Sequence, residues 1–127
     1  MRIIRPVNAV LLTAVLVGYA ALASAQMPVK MADGMLTNAA GMTLYMFDKD
    51  MAGSGKSACN GPCAANWPPL IAQGSDVAAG DYSIVLREDG MKQWAFKGKP
   101  LHQWSKDQKP GDKSGDGFNN MWHVAKP

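Results

Sequence analysis

Short runs of alternating apolar and polar residues, separated by glycine-rich polar segments, make up most of the chain after residue 33. The clearest run is residues 82–88, in which Tyr82, Ile84 and Leu86 share one face and are expected to point inward. The Asp89-Gly90 pair that follows favours a type I′ hairpin turn, because both residues accept the positive φ that this turn needs. No segment keeps a helical period beyond one turn near residues 64–67. The pattern predicts an all-β, mainly antiparallel fold with long Gly-rich loops.

One stretch of this pattern occurs twice. Gly41-Met-Thr-Leu-Tyr-Met-Phe-Asp-Lys-Asp50 returns as Gly98-Lys-Pro-Leu-His-Gln-Trp-Ser-Lys-Asp107, with Gly, Leu, Lys and Asp at the same offsets and His102 in the place of Tyr45. Internal similarity of this kind marks a structural repeat. We therefore predict one small β domain over residues 26–127, built from two related hairpin repeats at about residues 33–70 and 82–124.

Two aspartates, Asp50 and Asp107, lie just past the end of a predicted strand in the two copies. A carboxylate at that place accepts hydrogen bonds from backbone N–H groups of the following loop, which favours a structural role. Each copy then reaches a tryptophan, Trp67 or Trp122, after a Gly-rich loop. Because no Ser-His-Asp or Cys-His arrangement can be argued from the sequence, we predict no catalytic residue and do not expect an enzyme.

Residues 1–25 have the features of an export signal. Arg2 and Arg5 precede an apolar stretch from Ala9 to Ala23, and Ala23-Ser-Ala25 supplies the small residues of a cleavage site. The apolar stretch is shorter than the roughly 20 residues that span a bilayer, so cleavage is favoured over a retained anchor and no transmembrane segment is expected afterwards. The expected location is the periplasm or the outside of a bacterial cell.

Charge gives no indication of a nucleic-acid partner. Two of the 13 Lys and Arg residues, Arg2 and Arg5, belong to the export signal, and the others are interspersed with 10 Asp and Glu. The chain contains no basic run, so nucleic-acid binding is not expected.

Cys59 and Cys63 are the two cysteines of the chain. In an oxidising compartment the simplest prediction is that they form a disulfide, and their spacing differs from the Cys-x-x-Cys of thioredoxin-like enzymes. Closing so short a loop stabilises a fold by about 2 kcal/mol in the chain-entropy treatment. A Cys-dependent redox protein is the alternative interpretation.

Methionine is abundant, with nine in the sequence, all but Met1 after the export signal. Methionine fills irregular spaces in hydrophobic cores, and on this favoured interpretation no cofactor is expected. Thioether sulfur also binds Cu(I), particularly beside imidazole, so a copper site is the alternative. Its candidate ligands are Met42, Met46, His102 and His123.

Several of these segments resemble a bacterial family of secreted or lipoprotein-type repeats that carries a Tyr-x4-Asp motif. The matching segments are Gly41-Met-Thr-Leu-Tyr45 with Asp50, Cys59-Asn-Gly-Pro-Cys-Ala64, Trp67-Pro-Pro-Leu70, Gly90-x-x-Gln93, Gly98-x-Pro-Leu101 and Trp122. The resemblance implies export, tandem repeats and no established activity. This chain departs from the pattern in two ways. His102 replaces the motif's Tyr in the second copy, and the lipid-anchoring Cys is absent, which favours a soluble form.

Together these observations predict a non-enzymatic interaction module of the cell envelope that binds an envelope component or another protein. The two alternatives are a Met/His copper-binding protein and a Cys-dependent redox protein.

Overall fold

The computed structural model describes residues 27–127, so the predicted export signal lies outside the described residues. Within this range the strands are β1 (Val29–Ala32), β2 (Met35–Asn38), β3 (Tyr45–Phe47), β4 (Tyr82–Leu86), β5 (Lys92–Phe96), β6 (Lys99–Pro100) and β7 (Trp122–Val124). The helix α1 is Pro62–Asn66, and a 3₁₀ turn follows later at Phe118–Asn120. Among the described residues no helix has the length and apolar character that crossing a membrane requires.

Every pair of neighbouring strands is antiparallel. β1 pairs with β2, β3 pairs with β7, and β4, β5 and β6 form a three-stranded sheet in that order. The helix α1 overlaps the single helical turn that the sequence predicted near residues 64–67. Pro62 begins it, at a position where the missing N–H has no helical partner, and Pro68 lies just after its end. The prediction of an all-β, mainly antiparallel fold is confirmed.

A pair of backbone hydrogen bonds joins the two repeats at their shared motif. The N–H of Tyr45 donates to the carbonyl of His102 at 2.8 Å, and the N–H of His102 donates to the carbonyl of Tyr45 at 3.0 Å. These residues hold the same place in the two copies of the repeat. The pair therefore relates a first half of the chain, residues 27–72, to a second half, residues 82–127.

The hydrogen bonds of the first half recur in the second. The N–H of Leu44 donates to the carbonyl of Leu36 at 3.0 Å, and the N–H of Leu101 donates to the carbonyl of Trp94 at 2.9 Å. Leu44 and Leu101 are the two leucines that share an offset in the repeated stretch. The two copies therefore have corresponding structures as well as similar sequences.

Two clusters of buried residues form the core, and each contains side chains from both halves. The first core cluster is Met35, Tyr45, Phe47, Cys59, Trp67, Trp104, Trp122 and Val124. The second core cluster is Leu36, Leu44, Leu70, Ala72, Trp94, Phe96, Leu101 and Ala125. Burial of apolar surface thus stabilises the contact between the halves as well as each half itself.

The prediction that Tyr82, Ile84 and Leu86 of β4 all point inward is wrong at Leu86. Leu86 is 61% exposed, whereas the neighbouring Val85 is only 4% exposed. Directly opposite residues of an antiparallel pair share a face, and Val85 lies opposite Gln93, which is fully buried, while Leu86 lies opposite the exposed Lys92. The core ends before Leu86, and the buried side of the strand at this end is the side of Gln93.

The predicted type I′ turn at Asp89-Gly90 is also wrong. Gly90 has a φ of 83°, but Asp89 is not among the described residues with positive φ. The turn is instead closed by a hydrogen bond from the N–H of Gly90 to the carbonyl of Arg87 at 3.0 Å. The side chain of Asp89 also accepts the N–H of Met91 at 2.9 Å. Two successive positive φ values occur in the β1–β2 turn, at Asp33 (51°) and Gly34 (75°).

Gly98 is required by a close approach between the two halves. Its φ is +81°, and a Cβ built on it would lie 2.6 Å from the backbone nitrogen of Gly53 in the other half. The N–H of Gly53 also donates to the carbonyl of Gly98 at 3.0 Å, which fixes the contact. Gly41 holds the same place in the first copy, and a Cβ there would meet Pro110 at 3.2 Å.

We predict that Gly98→Ala destabilises the protein more than Gly90→Ala does. Both glycines have nearly equal positive φ, but a Cβ on Gly90 meets nothing within 4 Å. Gly90→Ala is expected to cost about 1 kcal/mol for the backbone conformation alone. The clash adds about 1–3 kcal/mol for Gly98→Ala. Urea unfolding followed by tryptophan fluorescence measures both variants, and equal losses would contradict the assigned contact.

Candidate functional site

The motif side chains of the repeat meet across the boundary between the halves. The hydroxyl of Tyr45, on β3 in the first half, donates to Oδ2 of Asp107 in the second half at 2.6 Å. The same hydroxyl accepts the backbone N–H of Gly115 at 3.3 Å. The tyrosine of the first copy therefore holds the aspartate of the second copy.

The reverse contact joins the other two motif residues. Nε2 of His102 lies 3.0 Å from Oδ2 of Asp50, and both side chains are fully buried. His102 belongs to the second half and Asp50 to the first, so this contact also crosses the boundary. The structure gives Tyr45 and His102 equivalent positions, each directed to the aspartate of the opposite repeat.

Each aspartate also organises the loop that follows it in its own half. Oδ1 of Asp50 accepts the N–H of Ala58 at 2.6 Å, and the hydroxyl of Ser57 lies 3.1 Å from both carboxylate oxygens. Oδ1 of Asp107 accepts the N–H of Ser114 at 3.0 Å and its hydroxyl at 2.6 Å. Each of the two carboxylates thus holds a loop of its own half and a side chain of the other half.

Sequence reasoning missed a buried arginine that is linked to His102 through Gln93. The Arg87 side chain is fully buried and donates from Nη1 to Oε1 of Gln93 at 2.8 Å and from Nη2 to the carbonyl of Cys59 at 2.9 Å. Nε2 of Gln93 donates to the carbonyl of Leu101 at 2.8 Å. In the sequence, Gln93 was indicated only by the Gly90-x-x-Gln93 segment of the family resemblance. Arg87 gave no signal, because an arginine at a strand end is usually exposed.

The phenol of Tyr45 is held in its neutral form. Burial is the main cause that raises its pKa, and the hydrogen bond to the carboxylate of Asp107 raises it further. Both effects disfavour a phenolate, because a negative charge would be desolvated and would face another negative charge. Tyr45 is accordingly suited to donating a hydrogen bond and is a poor general base at neutral pH.

The two repeat tryptophans stack on each other in the first core cluster. The rings of Trp67 and Trp122 are parallel to within 1°, with centroids 3.9 Å apart. Trp104 stacks on the free face of Trp67 at 3.9 Å, and Phe47 stacks on Trp122 at 4.3 Å. All four rings are buried, so this stack packs the interior and is not a binding platform.

The predicted disulfide between Cys59 and Cys63 is confirmed. The described residues contain no free cysteine. Cys59 is fully buried in the first core cluster, and its carbonyl accepts the bond from Arg87. The backbone of Cys59, next to the bridge, therefore connects the loop that follows Asp50 to the buried arginine. A redox role of this pair stays a prediction.

The four candidate copper ligands lie in different surroundings. His102 is directed to Asp50, whereas His123 is half exposed, with Nε2 2.9 Å from Oδ2 of Asp48. Met46 lies opposite His123 in the β3–β7 pair and packs partly against the second core cluster. The backbone N–H of Met42 donates to Oδ1 of Asn38 at 3.0 Å. In residues 27–127 no three His, Cys, Asp or Glu side chains are arranged to hold a metal ion, and copper binding stays a prediction.

A shallow depression lies on the surface outside the loop that Asp50 organises. Its volume is about 260 Å³, and it is lined by Lys49, Met51, Ser54, Lys56, Ser57, Ala58 and Glu88. Met51 is 74% exposed there. The depression thus combines an exposed apolar side chain with two lysines and one glutamate.

The sequence matches a protein-family model described as a secreted repeat of unknown function. The match covers residues 27–71 and again residues 83–126, close to the two halves of the structure. No curated protein and no solved structure matches the chain.

We predict that Tyr45→Phe lowers the free energy of unfolding by about 1–3 kcal/mol, because it removes a partly buried hydrogen bond to a charged group and leaves Oδ2 of Asp107 without its donor. Tyr82→Phe, at a partly buried tyrosine outside the motif, is the control and is expected to cost less. Both values follow from urea unfolding at neutral pH. A loss at Tyr45 no larger than the loss at Tyr82 would contradict the role of the bond.

The same variant has a signature at alkaline pH. The pKa of Tyr45 is raised in the folded protein, so its contribution to stability is complete below about pH 10, the ordinary tyrosine value, and falls as the pH rises further. Tyr45→Phe removes this contribution, and its free energy of unfolding should fall less steeply above about pH 10 than that of the wild type. Unfolding curves at several alkaline pH values test the slope.

Proposed function

The chain belongs to a family of secreted repeats of unknown function, and from this premise we propose that it is a non-enzymatic interaction module of the bacterial cell envelope. Residues 1–25 are removed on export, and residues 26–127 act in the periplasm or outside the cell as one β domain. The family description supports export. The Arg2, Arg5 and Ala23-Ser-Ala25 pattern supports cleavage of the leader.

One observation carries the proposal that the motif is a scaffold and not an active site. The acidic and aromatic groups of the motif are directed to one another: Tyr45 to Asp107, and His102 to Asp50. In the described part of the chain, Trp94 Nε1 is the one buried side-chain polar atom without a partner. A general base or nucleophile needs access to substrate. Tyr45, His102 and Asp50 are buried, and Asp107, which is partly exposed, is already bonded to Tyr45 and Ser114.

The surface outside the Asp50 loop is our candidate for the binding face. The loop is held from inside by Asp50 and Ser57, so its outward side chains keep a fixed arrangement. Exposed Met51 offers an apolar contact, and Lys49 and Lys56 offer positive charge around it. A partner segment that presents an apolar side chain next to carboxylates fits this combination.

We predict that a photo-crosslinking amino acid at Met51 gives a defined adduct with an envelope component, whereas the same group at Val77 does not. Both positions are 74% exposed, so they are matched in accessibility, and Val77 lies in the segment between the halves. The experiment is done in the native periplasm, and the adducts are identified by mass spectrometry. Identical adduct patterns at the two positions would refute Met51 as part of a binding face.

Copper binding is a second candidate function, which one observation favours. Met46 and His123 are directly opposite on β3 and β7, and the carboxylate of Asp48 is 2.9 Å from the imidazole. Thioether, imidazole and carboxylate groups thus lie on one edge of the strand pair, and soft sulfur with imidazole suits copper.

We predict for this candidate that untagged protein binds Cu(I) in competition with a chelator, and that Met46→Leu and His123→Ala each weaken binding about tenfold, equivalent to about 1.4 kcal/mol. Met91→Leu, at an exposed methionine in the β4–β5 hairpin, is the control. Binding weaker than micromolar, or equal effects of all three substitutions, would exclude a copper site at this edge.

A further inference from the structure

The last segment of each half forms part of the other half. Leu70, near the end of the first half, donates its N–H to the carbonyl of Leu101 at 2.9 Å and accepts the N–H of Trp94 at 2.8 Å. Ala125, near the end of the second half, donates to the carbonyl of Leu44 at 2.8 Å and accepts the N–H of Leu36 at 2.9 Å. The exchange is reciprocal, with the same hydrogen bonds on both sides.

The buried aromatic stack alternates between the halves. Its order is Trp104, Trp67, Trp122 and Phe47, so each ring rests on a ring of the opposite half. The two motif contacts cross in the same way. Each half therefore buries the corresponding surface against the other half, as the two subunits do in an isologous dimer interface.

A single exposed segment provides the covalent connection between the halves. Residues 73–81 are largely exposed, and the N–H of Gln73 donates to Asp76 within the segment at 2.7 Å. Other bonds go to residues of the second half: the N–H of Ala79 donates to Tyr82 at 3.0 Å, and the carbonyl of Asp81 accepts the N–H of Lys97 at 2.8 Å. Neither core cluster includes a residue of this segment. The segment thus connects the halves without forming the contact between them.

We infer that each half is a specific binding partner for the opposite half of a second copy of this chain, through the same surface that it uses within one chain. The recognition elements are the crossed Tyr45–Asp107 and His102–Asp50 contacts and the alternating aromatic stack. In a single chain, the two halves normally cover each other's contact surface. When the segment between the halves is too short to connect the two halves of one chain in this arrangement, two chains exchange halves and form a closed dimer. Exchange of identical elements recreates the same contacts.

The geometry sets the length that the connection needs. Ala72 donates its N–H to Lys92 at one end of β5, and Tyr82 lies opposite Phe96 at the other end, on the far side of β5. Four strand residues span about 13 Å and two strand spacings about 10 Å, so the direct path is about 16 Å. After deletion of Gly74–Gly80, the three remaining steps from Ala72 to Tyr82 reach at most about 11 Å.

The test compares two versions of the full chain by light scattering. Deletion of Gly74–Gly80 is expected to give a folded dimer, and replacement of the same residues by seven residues of Gly and Ser is expected to give a monomer. To locate the exchange, Asp48→Cys and His123→Cys are added to both versions. These exposed side chains, one from each half, lie 2.9 Å apart, and losing a surface pair costs little.

A short bis-maleimide should join the two new cysteines between chains in the deletion variant and within one chain in the Gly/Ser variant. A folded monomer of the deletion variant, or a dimer that crosslinks within each chain, overturns the inference.

A second measurement decides the question if the deletion variant does not fold. A protease site replaces Gly74–Ala79 in the full-length chain, and the folded protein is then cut there. The inference requires that the two pieces elute together and unfold in one transition whose midpoint depends on protein concentration. Separation of the pieces after cleavage overturns it.

Discussion

The reciprocal backbone pair between Tyr45 and His102 is the constraint on which the other contacts depend. By placing the repeated stretch of each half beside its counterpart, it directs each motif side chain towards the aspartate of the opposite repeat. The exchange of Leu70 and Ala125 and the alternating aromatic stack have the same crossed arrangement. The domain is consequently held together by contacts between repeats as much as by contacts within them.

Burial explains why the crossed contacts are specific. A buried polar group without a partner costs about 1–3 kcal/mol, so the carboxylate of Asp50 favours arrangements in which His102, Ser57 and the N–H of Ala58 all reach it. Hydrophobic burial alone would tolerate slippage between two similar halves. The polar pairs add a requirement for one register, although buried polar groups need not increase net stability.

His102 changes the chemistry of the second copy while the geometry is kept. Where Tyr45 bonds to Asp107 and the N–H of Gly115, His102 bonds to Asp50 within a wider network that reaches Gln93. Arg87 continues this network to the disulfide loop through the carbonyl of Cys59. This polar network holds the inner side of the loop that borders the surface depression, so the proposed binding face rests on buried hydrogen bonds.

The sequence by itself determined what depends on local spacing. Alternating residues predicted antiparallel strands, the repeated stretch predicted two corresponding units, and two nearby cysteines in an exported chain predicted their disulfide. Tertiary structure alone decided which groups meet over long distances. Nothing in the spacing shows that Asp107 bonds to Tyr45, that Arg87 is buried, or that the core includes Val85 and ends before Leu86. Those outcomes follow from how two halves share one interior, because burial and hydrogen-bond satisfaction are fixed only when distant segments pack together.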